Sequence, residues 1–311
     1  MKHVLTVTLN PSLDRMITVS GFAIGKEFEI REEIFSAGGK GLNVSRALKS
    51  LGTPTVCTGL LGGSTGQMIK NILFQEKIKG DFLKIQGLTR VNLAIKDLTS
   101  HKQTRFLDFG PKVSASEIKA FKEKYVRLLK TSLVVVLSGR NANGASLNFY
   151  ADLVQLAHQK NVRAIVDTHD KPLELAIKAK PLLIKPNLKE LEGLLSQRLD
   201  TEQKKKRAIH QLHKKGVQLV LLSFAENGAI LSSSKEMWTA CPPIVNVKND
   251  VGCGDTMVAA FIHGYLKGLS LKDVLSFSVA AGTANAMGFV PGLIRLDQVK
   301  EVLRKVVIHK I

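Results

Sequence analysis

Leu133-Val134-Val135-Val136-Leu137 is an unbroken apolar run, and its reading decides the fold. A strand with no polar face has no side for solvent, so Leu133–Ser138 reads as a strand of a parallel sheet covered by helices on both faces. Outward from it, short β-rich runs at Thr55–Leu61, Arg163–Asp167, Leu182–Lys185 and Gln218–Ser223 alternate with helical patterns. The helical patterns cover Gly41–Leu51, Gly66–Glu76, Ser116–Lys130, Leu147–Gln159, Leu188–Leu195, Thr201–Lys215 and Gly254–Lys267. Two more, Leu271–Met287 and Leu296–Val307, make the last third helix-rich. Strand and helix in this rhythm predict βαβ units around a mainly parallel sheet. Met1–Leu9 reads as the first strand, ended by Asn10-Pro11.

Two stretches break the rhythm. Arg15–Phe35 and Asn92–Phe109 alternate apolar and polar residues without a helical period, around Gly21 and Gly25 and around Ser100-His101. Their four strand-like pieces form either a small separate sheet inserted twice into the main domain or two ordinary surface hairpins. A separate sheet would serve as a lid over a cleft, as a dimer contact, or as both.

Composition narrows the function. With 311 residues, the chain has room for one large α/β domain or a main domain with a small appendage. The cysteines, Cys57, Cys241 and Cys253, are scattered and form no C-x-x-C pair, which excludes a disulfide framework and a zinc ribbon and fits reduced thiols in the cytoplasm. No run of 18 apolar residues predicts a membrane span, and the first strand is too short and threonine-interrupted for a signal peptide. The net charge of +19 favours anionic partners. Its densest run, Lys204–Arg207, lies on a helix whose Ile209 and Leu212 face inward, so it reads as a solvated face. Aromatic residues make up only 5%, and none form a stacking platform among the basic residues, so no nucleic-acid partner is expected.

Three motifs carry chemistry. In Asn249-Asp250-Val251-Gly252-Cys253-Gly254-Asp255-Thr256, two glycines and an acid open a strongly apolar helix. The unpaired first amides of a helix and its positive dipole end suit a phosphate. A carboxylate at Asp255 would face the transferring group and accept the proton of an attacking hydroxyl. A glycine-rich turn with Asp as a helix-start residue is the plain alternative. Second, Ser36-Ala37-Gly38-Gly39-Lys40-Gly41-Leu42-Asn43 opens another helix. It is neither a P-loop, lacking G-K-[ST], nor a dinucleotide fingerprint, whose spacing differs. Close approach to a sugar, with Asn43 offering donors and an acceptor, stands beside a structural glycine turn. Third, Lys185-Pro186-Asn187-Leu188-Lys189-Glu190 follows an apolar strand. Asn187 and Glu190 read as a capping box, or as oxygen groups near magnesium and its waters.

In this order, together with Thr8–Asp14, Thr89-Arg90-Val91-Asn92, Leu137-Ser138-Gly139 and Val166-Asp167-Thr168, the motifs resemble the PfkB branch of the ribokinase-like sugar kinases over essentially the whole chain. The resemblance implies a single ribokinase-like domain over 1–311, a three-layer α/β/α fold with a mainly parallel central sheet and a small β-sheet lid from insertions at about 12–36 and 90–109. It implies ATP and Mg2+ as cofactors, a sugar-phosphate substrate, and a homodimer through the lid sheets. Asn10-Pro11-x-x-Asp14 and Thr89-Arg90-x-Asn92 point to the phosphosugar kinases. Thr104-Arg105-Phe106 and Gly62–Gly66 resemble the minor 6-phosphofructokinase, while Lys40 resembles the 1-phosphofructokinase and tagatose-6-phosphate kinase pattern. Fructose 6-phosphate is the expected substrate, with the other two as alternatives and a catalytically inactive sugar-phosphate sensor as a third reading.

Carried over by matching positions, Asp14, Gly39 and Asn43 would hold sugar hydroxyls, and Arg90, Arg105 and Lys26 the sugar phosphate. Lys185, Asn187, Ser223 and Gly228 would line ATP. Gly252, Cys253 and Gly254 would form the anion hole, Asp255 would be the base, and Glu190 would place magnesium through water. The chain departs from the family pattern at Ala225, where glycine is usual and alanine restricts close approach to ATP. It departs at Asp250, a usual threonine, where a carboxylate repels phosphates unless it faces magnesium or caps the helix. It also departs at Arg140-Asn141-Ala142-Asn143-Gly144, where Ser-Leu-Pro-Pro-Gly is usual.

Overall fold

A computed structural model describes residues 2–311 and is built on an 11-stranded sheet. Its strands follow the order Val307–Lys310, Met237–Cys241, Ala229–Ser232, Leu219–Ser223, Leu183–Ile184, Arg163–Asp167, Ser132–Ser138, His3–Thr8, Thr55–Gly62 and Lys79–Gly80. Leu83–Ile85 pairs with the far half of Thr55–Gly62. Every pairing from Leu219–Ser223 to Lys79–Gly80 is parallel. The opposite edge is antiparallel. Val134, Val135, Val136 and Leu137 are buried as the apolar run predicts, and only Leu133, at the start of the strand, reaches solvent.

Alternation along each strand divides the core into two layers. Val135, Leu137 and Leu222 join Phe121, Tyr150, Leu173, Leu191 and Ile209 of the helices Ala115–Leu129, Phe149–Gln159, Asp170–Lys178, Leu188–Leu195 and Glu202–Lys214. Val134, Val136 and Leu221 join Val44, Phe261 and Leu275 of the helices Lys40–Ser50, Cys253–Leu266 and Leu271–Ala286. The result is a three-layer α/β/α body. No helix among the described residues is long and apolar enough to cross a membrane.

The two irregular stretches are not independent hairpins. Ser12–Val19 pairs with Glu32–Gly38 and Arg90–Asp97 with Gln103–Phe106, and the parallel pairing of Ser12–Val19 with Arg90–Asp97 joins all four into one separate sheet. Register assigns its faces. Asp14 pairs with Asn92, and Met16 with Ala94, which pairs with Arg105, so Asp14, Asn92 and Arg105 share one face. Arg15, Phe35, Leu93 and Phe106 lie in register on the other.

The last helix is a correction. The pattern over Leu296–Val307 reads as one helix, yet the helix stops at Leu303, and Val307–Lys310 turns back to pair with Met237–Cys241. Four residues with His309 and Lys310 exposed carry too short an alternation to separate a strand from a helix tail. The edge hairpin Ala229–Ser232/Met237–Cys241 is equally short and has no counterpart in the sequence reading.

Candidate active site

The parallel strands end on one side of the body, where open α/β sheets bind ligands. The helix Cys253–Leu266 begins there after Gly252, whose φ of +83° is left-handed; a Cβ at this position would stand 2.8 Å from Pro291 Cβ. Only glycine takes this turn without strain. The turn aims the first helical amides and the positive end of the helix dipole into the cleft. Asn285, buried at the end of the helix Leu271–Ala286, clasps the turn. Its Nδ2 donates to Val251 O at 2.8 Å, and its Oδ1 accepts from Gly292 N at 2.7 Å and Thr256 Oγ1 at 3.2 Å.

Asp255 sits in the first turn of this helix, 5% exposed, and its Oδ2 accepts from Asn43 Nδ2 at 2.8 Å. Burial first, and the nearby Asp167 second, push its carboxyl up to about 6, against the pull of Lys40, Asn43 and Lys185. A carboxylate so placed is ionised at neutral pH yet basic enough to take a proton.

Beside it lies a buried ion triad. Asp167 ends the strand Arg163–Asp167 with no exposure, and its Oδ1 stands 3.1 Å from Lys40 Nζ and 3.3 Å from Lys185 Nζ. Burial opposes ionisation of Asp167, but Lys185 and Lys40 outweigh it and hold the carboxyl below the usual range. Burial likewise works against the Lys40 ammonium, and Asp167, Asp255 and Glu190 more than offset it, raising its pKa. Lys40 is therefore a firmly cationic end at the cleft.

The remaining predicted groups fall in two sets. A Cβ at Gly254 would lie 3.2 Å from Lys185 Nζ, so the glycine keeps open a gap between ammonium and helix start. Asn187 Oδ1 accepts from Glu190 N, and Glu190 Oε2 from Asn187 N, both at 2.8 Å, so the capping box is fully formed. The other oxygen, Glu190 Oε1, stands 4.0 Å from Lys40 Nζ. Asn187 bridges to Ser223, and the chain then makes a single 3-10 turn, Ala225–Asn227, before Gly228. Gly39 caps the helix Lys40–Ser50.

The second set belongs to the small sheet. Asp14 Oδ1 accepts from Ser12 Oγ at 2.6 Å and Asn92 Nδ2 at 2.8 Å. Arg90 ties the root of the sheet, donating to Asn10 O at 2.9 Å, Asp108 O at 2.8 Å and Pro11 O at 3.4 Å. Part of its five-donor fork stays free. Arg105 Nη2 donates to Gln103 Oε1 at 2.8 Å and reaches Asp250 Oδ1 at 3.7 Å, which turns the Asp14 face of the sheet toward the Gly252 turn. Lys26 lies on the exposed connection 20–31, and no hydrogen bond or ion pair joins it to the Asp255 cluster among the described residues.

Sequence reading assigned no role to Lys40, Asp167, Asn285 or Arg140. A buried Asp at the end of an apolar strand needs cations, which was the available signal for the triad. Asn285 interrupts an alanine-rich buried helix face, a polar residue that must find partners there. Arg140 stacks over Phe109 at 5.8 Å and, after burial and partly against Asp14, helps lower the pKa of Arg90, so two guanidinium groups meet at this end of the cleft.

The model of the pfkB family carbohydrate kinases matches residues 7–287. The chain is 34% identical to a 1-phosphofructokinase of Borreliella burgdorferi, over 99% of both chains. It is 33% identical to a tagatose-6-phosphate kinase of Staphylococcus epidermidis, over 97% of this chain and 98% of that one. Phosphofructokinase-2 from Escherichia coli, solved in complex with fructose-6-phosphate, superposes with a TM-score of 0.90 at 27% identity, covering 98% of this chain and 99% of its own. Likeness of this extent, reaching from the first strand through the Gly252 turn, makes the chain a member of the pfkB family of carbohydrate kinases.

Proposed function

We propose that this chain transfers the γ-phosphoryl group of ATP to the free hydroxymethyl oxygen of a hexose monophosphate, with fructose 6-phosphate as substrate. The observation that carries this reading is Asp255, buried and held by Asn43, at the start of the helix that follows the Gly252 turn and beside Lys40 and Lys185. The acceptor oxygen attacks the γ-phosphorus as its proton passes to the free oxygen of Asp255, and the bond from phosphorus to the ADP oxygen breaks. Amides of Gly252, Cys253 and Gly254, with Lys40 and Lys185, meet the charge on the moving phosphoryl oxygens. Asp14 and Asn43 hold sugar hydroxyls, Lys185, Asn187, Ser223 and Gly228 line the nucleotide, and Arg105, Arg90 and Lys26 serve the sugar phosphate.

The residues suit ATP and magnesium. The gap at Gly254 beside Lys185 is where a phosphate oxygen would bridge ammonium and amide. A cation that arrives with phosphates keeps most of its waters and needs few protein ligands. Glu190 Oε1, beyond hydrogen-bond distance of Lys40, would hold such a water. When bound, magnesium supplies charge neutralisation on the phosphates.

A second reading, phosphorylation of fructose 1-phosphate or tagatose 6-phosphate, is favoured by Lys40 at the centre of the site and by the names of the 33–34% identical relatives. All three sugars present a phosphate at one end and a hydroxymethyl at the other. A coupled ADP-release assay with the three in parallel decides by kcat/KM. Binding of a sugar phosphate without ADP release from any would replace the kinase by a sensor. The exposed apolar row Phe35 and Phe106, with Arg15 and Leu93, supports a homodimer through the outer face of the lid, to be checked by light scattering.

A further inference from the structure

We infer that Arg46 is a positioning residue that sets which end of the Asn43 amide meets Asp255, and so which Asp255 oxygen is left for the acceptor. This rests on the kinase reading above and deepens it.

Arg46 stands one helical turn after Asn43 and is 4% exposed. All three of its guanidinium nitrogens donate. Nε donates to both carboxylate oxygens of Glu76, at 2.9 and 2.8 Å, and Nη2 to Ala37 O at 2.6 Å. Nη1 donates to Asn43 Oδ1 at 2.9 Å and lies 3.5 Å from Pro291 O. The helix Lys40–Ser50, the end of the helix Gly63–Gln75, the strand Glu32–Gly38 and the loop against Gly252 therefore meet on one side chain.

Donor chemistry turns this contact into a constraint. Arginine only donates, so the side of the Asn43 amide facing it must be the oxygen. The amino group is then forced toward Asp255, where it meets Oδ2 at 2.8 Å. An ionised carboxylate only accepts, so this orientation favours the charged, proton-accepting form and leaves Oδ1 for the substrate hydroxyl. Without Arg46 the amide is free to rotate by half a turn. Its oxygen would then face Asp255 and favour the protonated acid. The other ionisable groups around Asp255 are Lys40, Asp167 and Lys185, with Glu190 beyond Lys40 and Asp250 and Cys253 on its own turn. Arg46 faces Glu76, and it acts on Asp255 through Asn43.

The test compares the chain with Arg46→Lys and Arg46→Met. Lysine keeps a cation beside Glu76 but has one nitrogen, which does not span Glu76, Ala37 O and Asn43 together. The acid limb of the kcat/KM profile is expected to move upward by about one pH unit, the size of one lost hydrogen bond to a carboxylate. Arg46→Met is expected to move it further, and KM for ATP to stay within about twofold in both. A carbon-13 titration of the Asp255 carboxyl in Arg46→Lys, identified by its loss in Asp255→Asn, reads the same shift without turnover and decides the matter if Arg46→Met does not fold. If the unsubstituted chain phosphorylates a sugar phosphate and both the acid limb and the carboxyl titration stay fixed in Arg46→Lys, Arg46 is only structural and the inference is overturned. If the unsubstituted chain releases no ADP with any of the three sugars at any pH, the kinase reading fails instead, while the titration still reports on the amide.

Discussion

Arg105 Nη2 on the small sheet lies 3.7 Å from Asp250 Oδ1, in the segment leading to Gly252, so one exposed ion pair spans the cleft between the two sheets. The side chains are 43% and 86% exposed, which makes the pair worth at most about 1 kcal/mol. Its consequence is competition. Arg105 is the cation proposed for the sugar phosphate, and Asp250 occupies it before substrate arrives.

Asp250→Thr should therefore free Arg105. The expected result is a KM for the sugar phosphate lowered by about two- to fivefold, with kcat nearly unchanged, and a difference that shrinks in high salt as exposed charges are screened. Initial-rate measurements at two ionic strengths check it. An unchanged or higher KM would remove Asp250 from this role.

Asp255→Asn should separate activity from stability. Turnover should fall by about 10²- to 10⁴-fold with the loss of the base. Stability should move the other way. Burial raises the Asp255 carboxyl from an unfolded value near 3.8 to about 6, so the folded chain binds the proton more tightly than the unfolded one. The stability from this group is full below pH 3.8 and is lost as pH rises through 6. A neutral amide avoids that loss, and the variant should gain up to roughly 3 kcal/mol at pH 7 and nothing at pH 3.5. In the unsubstituted chain, kcat/KM should drop as pH falls below about 6. Denaturant melts at both pH values and a pH–rate profile test these signs; a destabilised variant at pH 7 would contradict the burial argument.

Arg140 is the third case. It occupies the loop after the central strand, near enough to Arg90 to act on it electrostatically, at the end proposed for the sugar phosphate. Arg90 is largely tied to backbone carbonyls, whereas among the described residues the guanidinium of Arg140 stacks on Phe109 without a hydrogen bond. Arg140→Ala should raise KM for the sugar phosphate by roughly 10-fold, the size of one charge-assisted contact, and leave KM for ATP alone. A rise confined to ATP would place Arg140 at the wrong end of the cleft.

These expectations differ in how far the sequence alone supports them. The central layer is legible from Val134–Leu137 because a valine-rich apolar run this short suits a strand buried on both faces better than a helix. The Gly252 turn and Asp255 are legible because glycines at a helix start have a local cause. The capping box of Asn187 and Glu190 is local too, and both of its hydrogen bonds form. The Asp167 triad is not legible, since Lys40 and Lys185 reach it from positions 127 and 18 residues away, and only folding brings them together. The Arg46 fork is hidden for the same reason: its partners are Ala37, Asn43, Glu76 and Pro291. The strand Val307–Lys310 fails differently, being too short for its period to outweigh the helix before it.

Ala225 offers the last prediction. Its φ is +52°, in the left-handed region, within the turn between Ser223 and Gly228. There an L side chain costs about 1–2 kcal/mol, and glycine escapes that cost while losing about 0.5–1 kcal/mol to chain entropy. Relief of strain should win narrowly, so Ala225→Gly should stabilise the fold by up to about 1 kcal/mol. The same change at Ala229, buried in the strand Ala229–Ser232 and not left-handed, should destabilise it. If the turn also approaches the nucleotide, Ala225→Gly should lower KM for ATP, because backbone without a Cβ comes closer to the ligand. Paired melts and ATP titrations separate the two effects. A loss of stability at Ala225 equal to that at Ala229 would show that this turn carries no strain and that alanine fits there as well as glycine.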